Sequence, residues 1–450
     1  MTPIFVKNAI RLRKSAWSVA LTALVLVMGC STSITRPRAT TWTGSSIEVP
    51  RASKEGSFVP SKGLQFLVDP YPSDSGPSWL GGDVASSIRL TENRYLWLFG
   101  DSLMGSVSDQ CADQQIYCDR RIGRENTTGM IRNSVGITQR ADDEPFERIV
   151  KWWNTTGGTS SAIFPGTADG RFYWPLAGIR AETPVFIAAN LHTRESGLIP
   201  VGNTILRITN PDADPPDWEI TTHPLPNFRQ GGASEPGLSW TMALARIDRH
   251  VYIFGSTSEG FNVNAVLSRV EVEAMTAPTW SAEPEYLMVD DTGSLFWGSD
   301  FEFDRLHVVR GLPGVSETTI QYDPDLGWFS YQLEPFGFQI QLYTAPDLEG
   351  PWRNSGVVYE IPSPWSTEKQ ECTAAAGASC PSYIAYAVKA HPELAPENGH
   401  VISYNVNVTS GVLRAAEEAT ENVHGFYVPQ MLIGPNSRPS SDHPTSESAP

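Results

Sequence analysis

The stretch RYLWLFGDS, Arg94 to Ser102, decides how this chain folds. Large apolar residues run unbroken from Tyr95 to Phe99 and then stop at Gly100-Asp101-Ser102. Related phrases return: RFYWPLAGI (Arg171–Ile179), HVYIFGSTS (His250–Ser258), GWFSYQL (Gly327–Leu333) and HVISYNVN (His400–Asn407). Aligned on Trp97, Trp174, Tyr252, Phe329 and Ile402, the copies are 77, 78, 77 and 73 residues apart. Each follows a turn signal (TENR, ADGR, RIDRH, DPDLG, PENGH), and before each turn stands another strand-like run: VASSIRL, SAIF, LSWTMALARI, TTIQY or YIAYAVKA. Each unit therefore holds a β-hairpin. Five such units at a near-constant period, with almost no helical periodicity, predict an all-β chain folded as a five-bladed β-propeller. A β-sandwich, or a pair of them, is the rival, and sandwiches do not usually carry a fivefold repeat. Trp97 and Trp174, as repeat positions, are expected in the core.

The two ends read differently. Lys7, Arg11, Arg13 and Lys14 precede an apolar run from Ala16 to Met28, the pattern of a signal peptide over residues 1–29. The run closes on LVMGCS, so Cys30 is the candidate lipidated residue of an exported lipoprotein, expected at the outer membrane or cell surface. Residues 30–62 read as a tether, 63–432 as the propeller and 433–450 as a disordered tail, from their Ser-, Thr- and Pro-rich composition. Export permits disulfides. Cys111 and Cys118, and Cys372 and Cys380, are close enough in sequence to favour local pairing among the three connectivities four cysteines allow. Neither pair has the spacing of a zinc site, and no metal is expected.

The net charge is −17, and without residues 1–29 it becomes −21, from 29 basic and 50 acidic residues. Such a surface repels nucleic acid and anionic lipid, so membrane contact would come through the lipid and not a basic patch. It is compatible with a neutral partner such as a glycan. The chain is expected to act as a monomer.

The chemistry is expected at one rim. In a propeller the start of a blade's first strand and the end of its second share one face. Asp83, in GGDVASS, lies nine residues before Glu92 at the first hairpin turn, and Asp101 lies nine after it. A regular hairpin makes them cross-strand neighbours with Cβ atoms ~5 Å apart. Two carboxylates that close raise one pKa, and an acid beside an ionised carboxylate is the equipment of glycoside hydrolysis. Glu235, in GGASEPGLSW, and Glu317, in GVSETTIQY, precede or start the first strands of the third and fourth units. Asn405 and Asn407 end the second strand of the fifth, and Arg132 and Asn133 follow a long loop that can reach the rim. For any one of these residues, ordinary turn chemistry explains the position equally well. Trp152, Trp153, Trp240 and Trp297 lie near loops and could stack on sugars, and Asp300 is a further acid without a place in the repeat.

GGDVASSIRLTENRYLWLFGDSLMG, MIRNSVGI and AVKAHPELAPENGHVISYNVN resemble a bacterial group of secreted five-bladed propellers of unknown function, some of whose broader relatives are endo-D-arabinanases. More remotely the arrangement is similar to the arabinanase, xylosidase and levansucrase propellers. The resemblance implies that acids at first-strand starts surround the channel. Asp83 matches the first of them and Glu235 the third. The second unit, TTGGTSSAIFP, has no acid, so the three-acid scheme is not intact and Asp101 is the replacement candidate. Related propellers can hold a channel cation through a histidine, a role that would fall to His391. A histidine bonded to backbone is the alternative.

The expectation is a glycoside hydrolase acting on a furanose-type or other glycan without an obligatory cofactor. Asp83 and Asp101 form its reactive pair, and Glu235 and Glu317 are positioning or alternate acids. A non-catalytic glycan-binding or surface-assembly lipoprotein is the second reading, in which the carboxylates are unpaired or salt-bridged.

Overall fold

The computed structural model describes residues 57–435 apart from 66, 69–70, 72–75, 107–126, 141–145, 157–158, 197–198, 233–234, 260–261, 335–336, 363–382, 396–398 and 409–426. Cys30, Cys111, Cys118, Cys372 and Cys380 lie outside the described residues, as do most of the expected tether and the tail beyond 435. The all-β expectation holds: helical elements are few and short.

Among the described residues, five antiparallel sheets of four or five strands follow one another; three are meanders of chain neighbours, the first is interrupted by Ser102–Gly105 and Thr127–Ile131, and the fifth takes one strand from the other end of the chain. The first comprises Ser86–Arg89, Arg94–Phe99, Ser134–Arg140 and Phe146–Trp152. The second runs from Phe172–Arg180 through Val185–His192 and Gly202–Ile208 to Ile220–Leu225. The third begins with Gly237–Ile247 and His250–Glu259 and ends at Leu295–Gly298. The fourth comprises Gln321–Asp323, Gly327–Leu333, Gln339–Ala345 and Arg353–Glu360. The fifth comprises Tyr383–Ala390, Gly399–Val408 and Gln430–Pro435, and its outermost strand is Val59–Pro60, from the other end of the chain. The strands at both ends cross the expected limits of 63 and 432, because the ladder pairs Val59 with Ile433 and Gly399 with Pro435.

The unbroken apolar run of Arg94–Phe99 is explained by burial on both faces. Side chains alternate across a strand, and here both sides are core. Tyr95, Trp97 and Phe99 pack with Val401, Met431 and Ile433 of the fifth sheet, whereas Leu96 and Leu98 pack with Val185 and Ile187 of the second. The same division recurs. Phe186 and Ala188 meet Val251 and Ile253, Tyr252 and Phe254 meet Tyr343 and Ala345, and Phe329 and Tyr331 meet Ile402 and Tyr404. Five apolar clusters thus join each sheet to the next and the fifth back to the first.

One repeat copy is offset. Trp174 lies on the first strand of the second sheet, not the second strand, and Ile163 and Phe164 of SAIF are not in a strand. The turn ADGR instead leads into that first strand, braced by Thr167 N donating to Arg171 O at 2.8 Å. The true second strand, VFIAANLH, is an equally apolar run that lies off the period, centred about 14 residues after Trp174. The even period points to the wrong strand of this sheet.

Candidate active site

Asp83 faces Asp101. The short sheet beyond the first hairpin pairs Gly82 with Ser102, and the hairpin proper pairs Ser86 with Leu98. Both ladders keep one register, and continuing either brings position 83 opposite 101. Between them the ribbon breaks at Val84 and Ala85, which have φ of 68° and 47°. Left-handed backbone costs a non-glycine residue ~1–3 kcal/mol. Asp83 O anchors the break, accepting from Gly100 N at 3.1 Å and Ala85 N at 2.8 Å. Gly100 is required here: a Cβ on it would meet Asp83 Oδ1.

Asp83 is partly exposed. Tyr386 and Tyr427 each donate a phenolic O–H to its Oδ2 at 3.3 Å. Ala387 (φ 54°), beside the first phenol, and Tyr427 itself (φ 70°) are also left-handed. Four strained residues therefore surround one carboxyl. Burial, followed by repulsion from Asp101 and Glu317, raises the Asp83 pKa well above the carboxylate range, outweighing the two phenols.

Asp101 is 7% exposed and ion-paired. Arg132 Nη1 lies 3.2 Å from its Oδ2, and Trp174 Nε1 donates to its Oδ1 at 2.8 Å. The Arg132 guanidinium also covers the Phe172 ring at 4.3 Å. Burial pushes the Asp101 pKa up to about 6, against the pull of Arg132 and Trp174. Trp174 is the residue the sequence reading misplaced: expected in the core, it is half-buried and touches Asp101. Its place on a first strand, at the rim, is the reason. On the second sheet a cavity of about 620 Å³ is lined by Tyr173, Leu191, Asn203, Thr222 and Phe228 among others, and none of Asp83, Asp101 or Trp174 lines it.

Glu317 is the second carboxylate whose repulsion raises the Asp83 pKa. It precedes the fourth sheet, where Thr318 N donates to Met242 O of the third at 2.9 Å. The fully buried Lys389 holds it, with Nζ 3.0 Å from Glu317 Oε2. The same Nζ donates to Leu176 O at 2.8 Å, reaching from the fifth sheet to the second. Both ends of that reach sit on β-bulges, between Tyr386 and Lys389 and between Pro175 and Ala177. A bulge frees a carbonyl from the ladder and re-aims side chains.

Other expected site residues have structural roles. Glu235 is exposed in the loop before the third sheet, and the carboxylates acting on Asp83 are Asp101 and Glu317, not Glu235. Asn133 is fully buried. It donates to Phe164 O at 3.3 Å and Tyr173 O at 3.0 Å and accepts from Phe164 N, so it pins the entry to the second sheet and does not reach the rim. His391 is fully buried, with Nδ1 2.6 Å from Ser87 Oγ and Nε2 2.9 Å from Ser403 Oγ. Two hydroxyls, rather than backbone, occupy both ring nitrogens, so neither substrate nor a channel cation is met. Burial lowers its pKa to about 3, leaving it neutral. Asn405 is buried behind the site and donates to Gly82 O at 3.3 Å, supporting the strand that presents Asp83. Asn407, two residues on, is half-buried opposite Ile384.

Trp153 and Trp240 are buried, Trp152 is half-buried and Trp297 lies under the Arg269 guanidinium at 4.3 Å, so none is an open sugar platform. Asp300 is exposed beyond the outermost strand of the third sheet. Among the described residues, no group of three or more His, Cys, Asp or Glu could hold a metal.

A sequence model of a family described as a domain of unknown function, DUF5005, matches residues 71–420. No curated protein matches the chain. A candidate hydrolase from Bacteroides ovatus is similar in structure at 15% identity, covering 86% of this chain and 97% of its own, with a TM-score of 0.58. A GH43 β-xylosidase/α-arabinofuranosidase from a compost metagenome is similar at 11% identity (86% and 95% covered, TM-score 0.40). An exo-1,5-α-L-arabinanase from a bovine ruminal metagenomic library follows at 9% (80% and 94%, TM-score 0.39). The first likeness is one of fold alone. The other two, with TM-scores under 0.5, bear on neither fold nor chemistry.

Proposed function

This chain belongs to the DUF5005 family, and we propose that its five sheets are the blades of a β-propeller whose channel mouth hydrolyses glycosidic bonds. The observation that carries the reading is the asymmetry of the carboxyls. Asp101 and Glu317 each have a cation, Arg132 and Lys389, whereas Asp83 is held by two phenols and is partly open to solvent. With Asp83 protonated the five charged groups balance to one neutral acid and two ion pairs. Two carboxyls whose surroundings push them to different protonation states are the equipment for proton transfer to a leaving oxygen. Asp83 is the general acid, giving its proton to the glycosidic oxygen as the C–O bond breaks. Asp101, ionised, is the carboxylate that faces the positive charge developing on the sugar ring. The acidic surface suits a neutral, hydroxyl-rich chain, furanose-type or other.

The second reading, a glycan-binding or surface-assembly lipoprotein, draws on the same two ion pairs, since paired carboxylates also stabilise a site that does no chemistry. Assays of arabinan and other furanosides with wild type, Asp83→Asn and Asp101→Asn separate the two. Turnover lost in both variants supports hydrolysis. Equal turnover in all three removes both residues from the reaction, and binding without turnover favours the second reading. Export and a lipid on Cys30 belong to the same proposal. Labelling with a radioactive fatty acid that Cys30→Ala abolishes supports them, and unchanged labelling refutes them.

A further inference from the structure

Lys389 has no part in proton transfer as described, yet its amine is the most enclosed charge at the mouth. The side chain is fully buried, a rare state for lysine unless paired. It leaves the fifth sheet at the bulge after Ala387, crosses the ring, and ends on Leu176 O and Glu317 Oε2 at 2.8 and 3.0 Å. Leu176 is itself the bulged residue of the second sheet, so its carbonyl is free to accept. Two bulges on sheets that are not neighbours thus meet through one amine. A structural tie between sheets needs only the carbonyl; the contact with Glu317 adds a charge beside Asp83.

We propose that Lys389 is a positioning residue: anchored on Leu176, it fixes Glu317 beside Asp83 and, together with Glu317, sets the charge that Asp83 experiences. The groups facing Asp83 are Asp101 with its partner Arg132 from the first sheet and its loops, Glu317 before the fourth sheet, Tyr386 and Lys389 from the fifth, and Tyr427 before its last inner strand. Glu317 favours the protonated form of Asp83 and Lys389 the ionised form, so the two oppose each other across 3.0 Å. Placing them as a pair lets the acid be tuned by their difference. The role rests on the reading of the mouth as a catalytic centre, but its test needs no substrate.

The test is a carboxyl ¹³C NMR titration of the full chain labelled at Asp and Glu, with Asp83 identified by the signal that Asp83→Asn removes. Glu317→Gln keeps the shape and a bonding partner for Lys389. It is expected to lower the Asp83 midpoint by about one pH unit or more, since a repelling charge is lost and the cation remains. Adding Lys389→Met to Glu317→Gln is expected to raise the midpoint back by a similar amount. The double variant exchanges a buried ion pair for neutral groups, an exchange that protein interiors commonly tolerate. A midpoint unmoved by Glu317→Gln, or identical in the single and double variants, overturns the proposal and leaves Lys389 a tie between sheets. Either result stands whether or not the protein cleaves any glycan.

Discussion

Asp83 and Asp101 stand opposite each other in one ribbon whose register is held on both sides, by Gly82 with Ser102 and by Ser86 with Leu98. Their unequal surroundings predict a window of activity. Asp101 must be ionised, so turnover falls as pH drops through about 6. Asp83 must be protonated, so turnover falls again as pH rises through its elevated pKa. The dependence of kcat/KM on pH for a cleaved furanoside measures both limbs, and an acid limb absent near 6 contradicts the role of Asp101.

Arg132→Met removes the cation that holds Asp101 down. The acid limb is expected to move up by about one pH unit or more, with the alkaline limb little changed. Trp174→Phe removes one hydrogen bond to the same carboxylate. Its limb should move the same way by less, since a charged hydrogen bond contributes about 1.5–3 kcal/mol and part of it is recovered from water. Movement downward in either variant contradicts the assignment.

Gly100→Ala places a methyl group against Asp83 Oδ1. The carboxyl swings, or the Gly100–Asp83 bond opens, and a misplacement of ~1 Å costs on the order of 100-fold in rate. Thermal unfolding checks that the loss is local: the midpoint should stay within a few degrees of wild type, while kcat collapses.

Stability should respond to pH at two groups with opposite signs. The folded pKa of Asp83 is raised, so its contribution is full below the unfolded carboxylate range and is lost as pH rises through the folded value. Asp83→Asn should therefore unfold at a higher temperature than wild type at alkaline pH, with the gap closing in acid. His391 is depressed to about 3, so its contribution is full above the ordinary histidine range and is lost as pH falls toward that value.

His391→Leu tests whether that histidine is structural. It leaves the Ser87 and Ser403 hydroxyls without their buried partner, at a cost of about 2–4 kcal/mol in chemical denaturation. The limbs of the pH–rate profile should not move. A shifted limb with unchanged stability gives His391 a place in the chemistry instead.

The Asp83–Asp101 pairing was legible because a two-residue period preserves parity over nine residues on each side of a turn, and even the strained break at Val84 and Ala85 does not alter it. Glu317 and Glu235 looked equivalent in sequence because both precede first strands. They part because one is drawn inward by Lys389 and the other sits in an exposed loop. Lys389 and the two phenols were invisible for a related reason. A bulge shifts the alternation partway along Tyr383–Ala390, and Tyr427 stands outside the strand it precedes with a left-handed backbone, so no spacing announces which way these side chains turn. Trp174 was misread because the first strand of the second sheet is as apolar as a second strand and happens to fall on the period, and the wrong choice moves a residue from rim to core.

The two-residue ladder between Val59–Pro60 and Leu432–Ile433 ties the start of the described fold to its last strand. Synthesis proceeds from the N-terminus, so Val59 waits for its partner until nearly the whole domain has emerged, while the first four sheets can assemble in turn. Phe58 waits too, since the Gly434 position it packs against arrives as late. A chain stopped short of residue 430 would keep only the first two strands of the fifth sheet and leave Gly399–Val408 as an unpaired edge, open to pairing with another chain. Closure thus makes the ring depend on a strand that is among the last of the domain to be made.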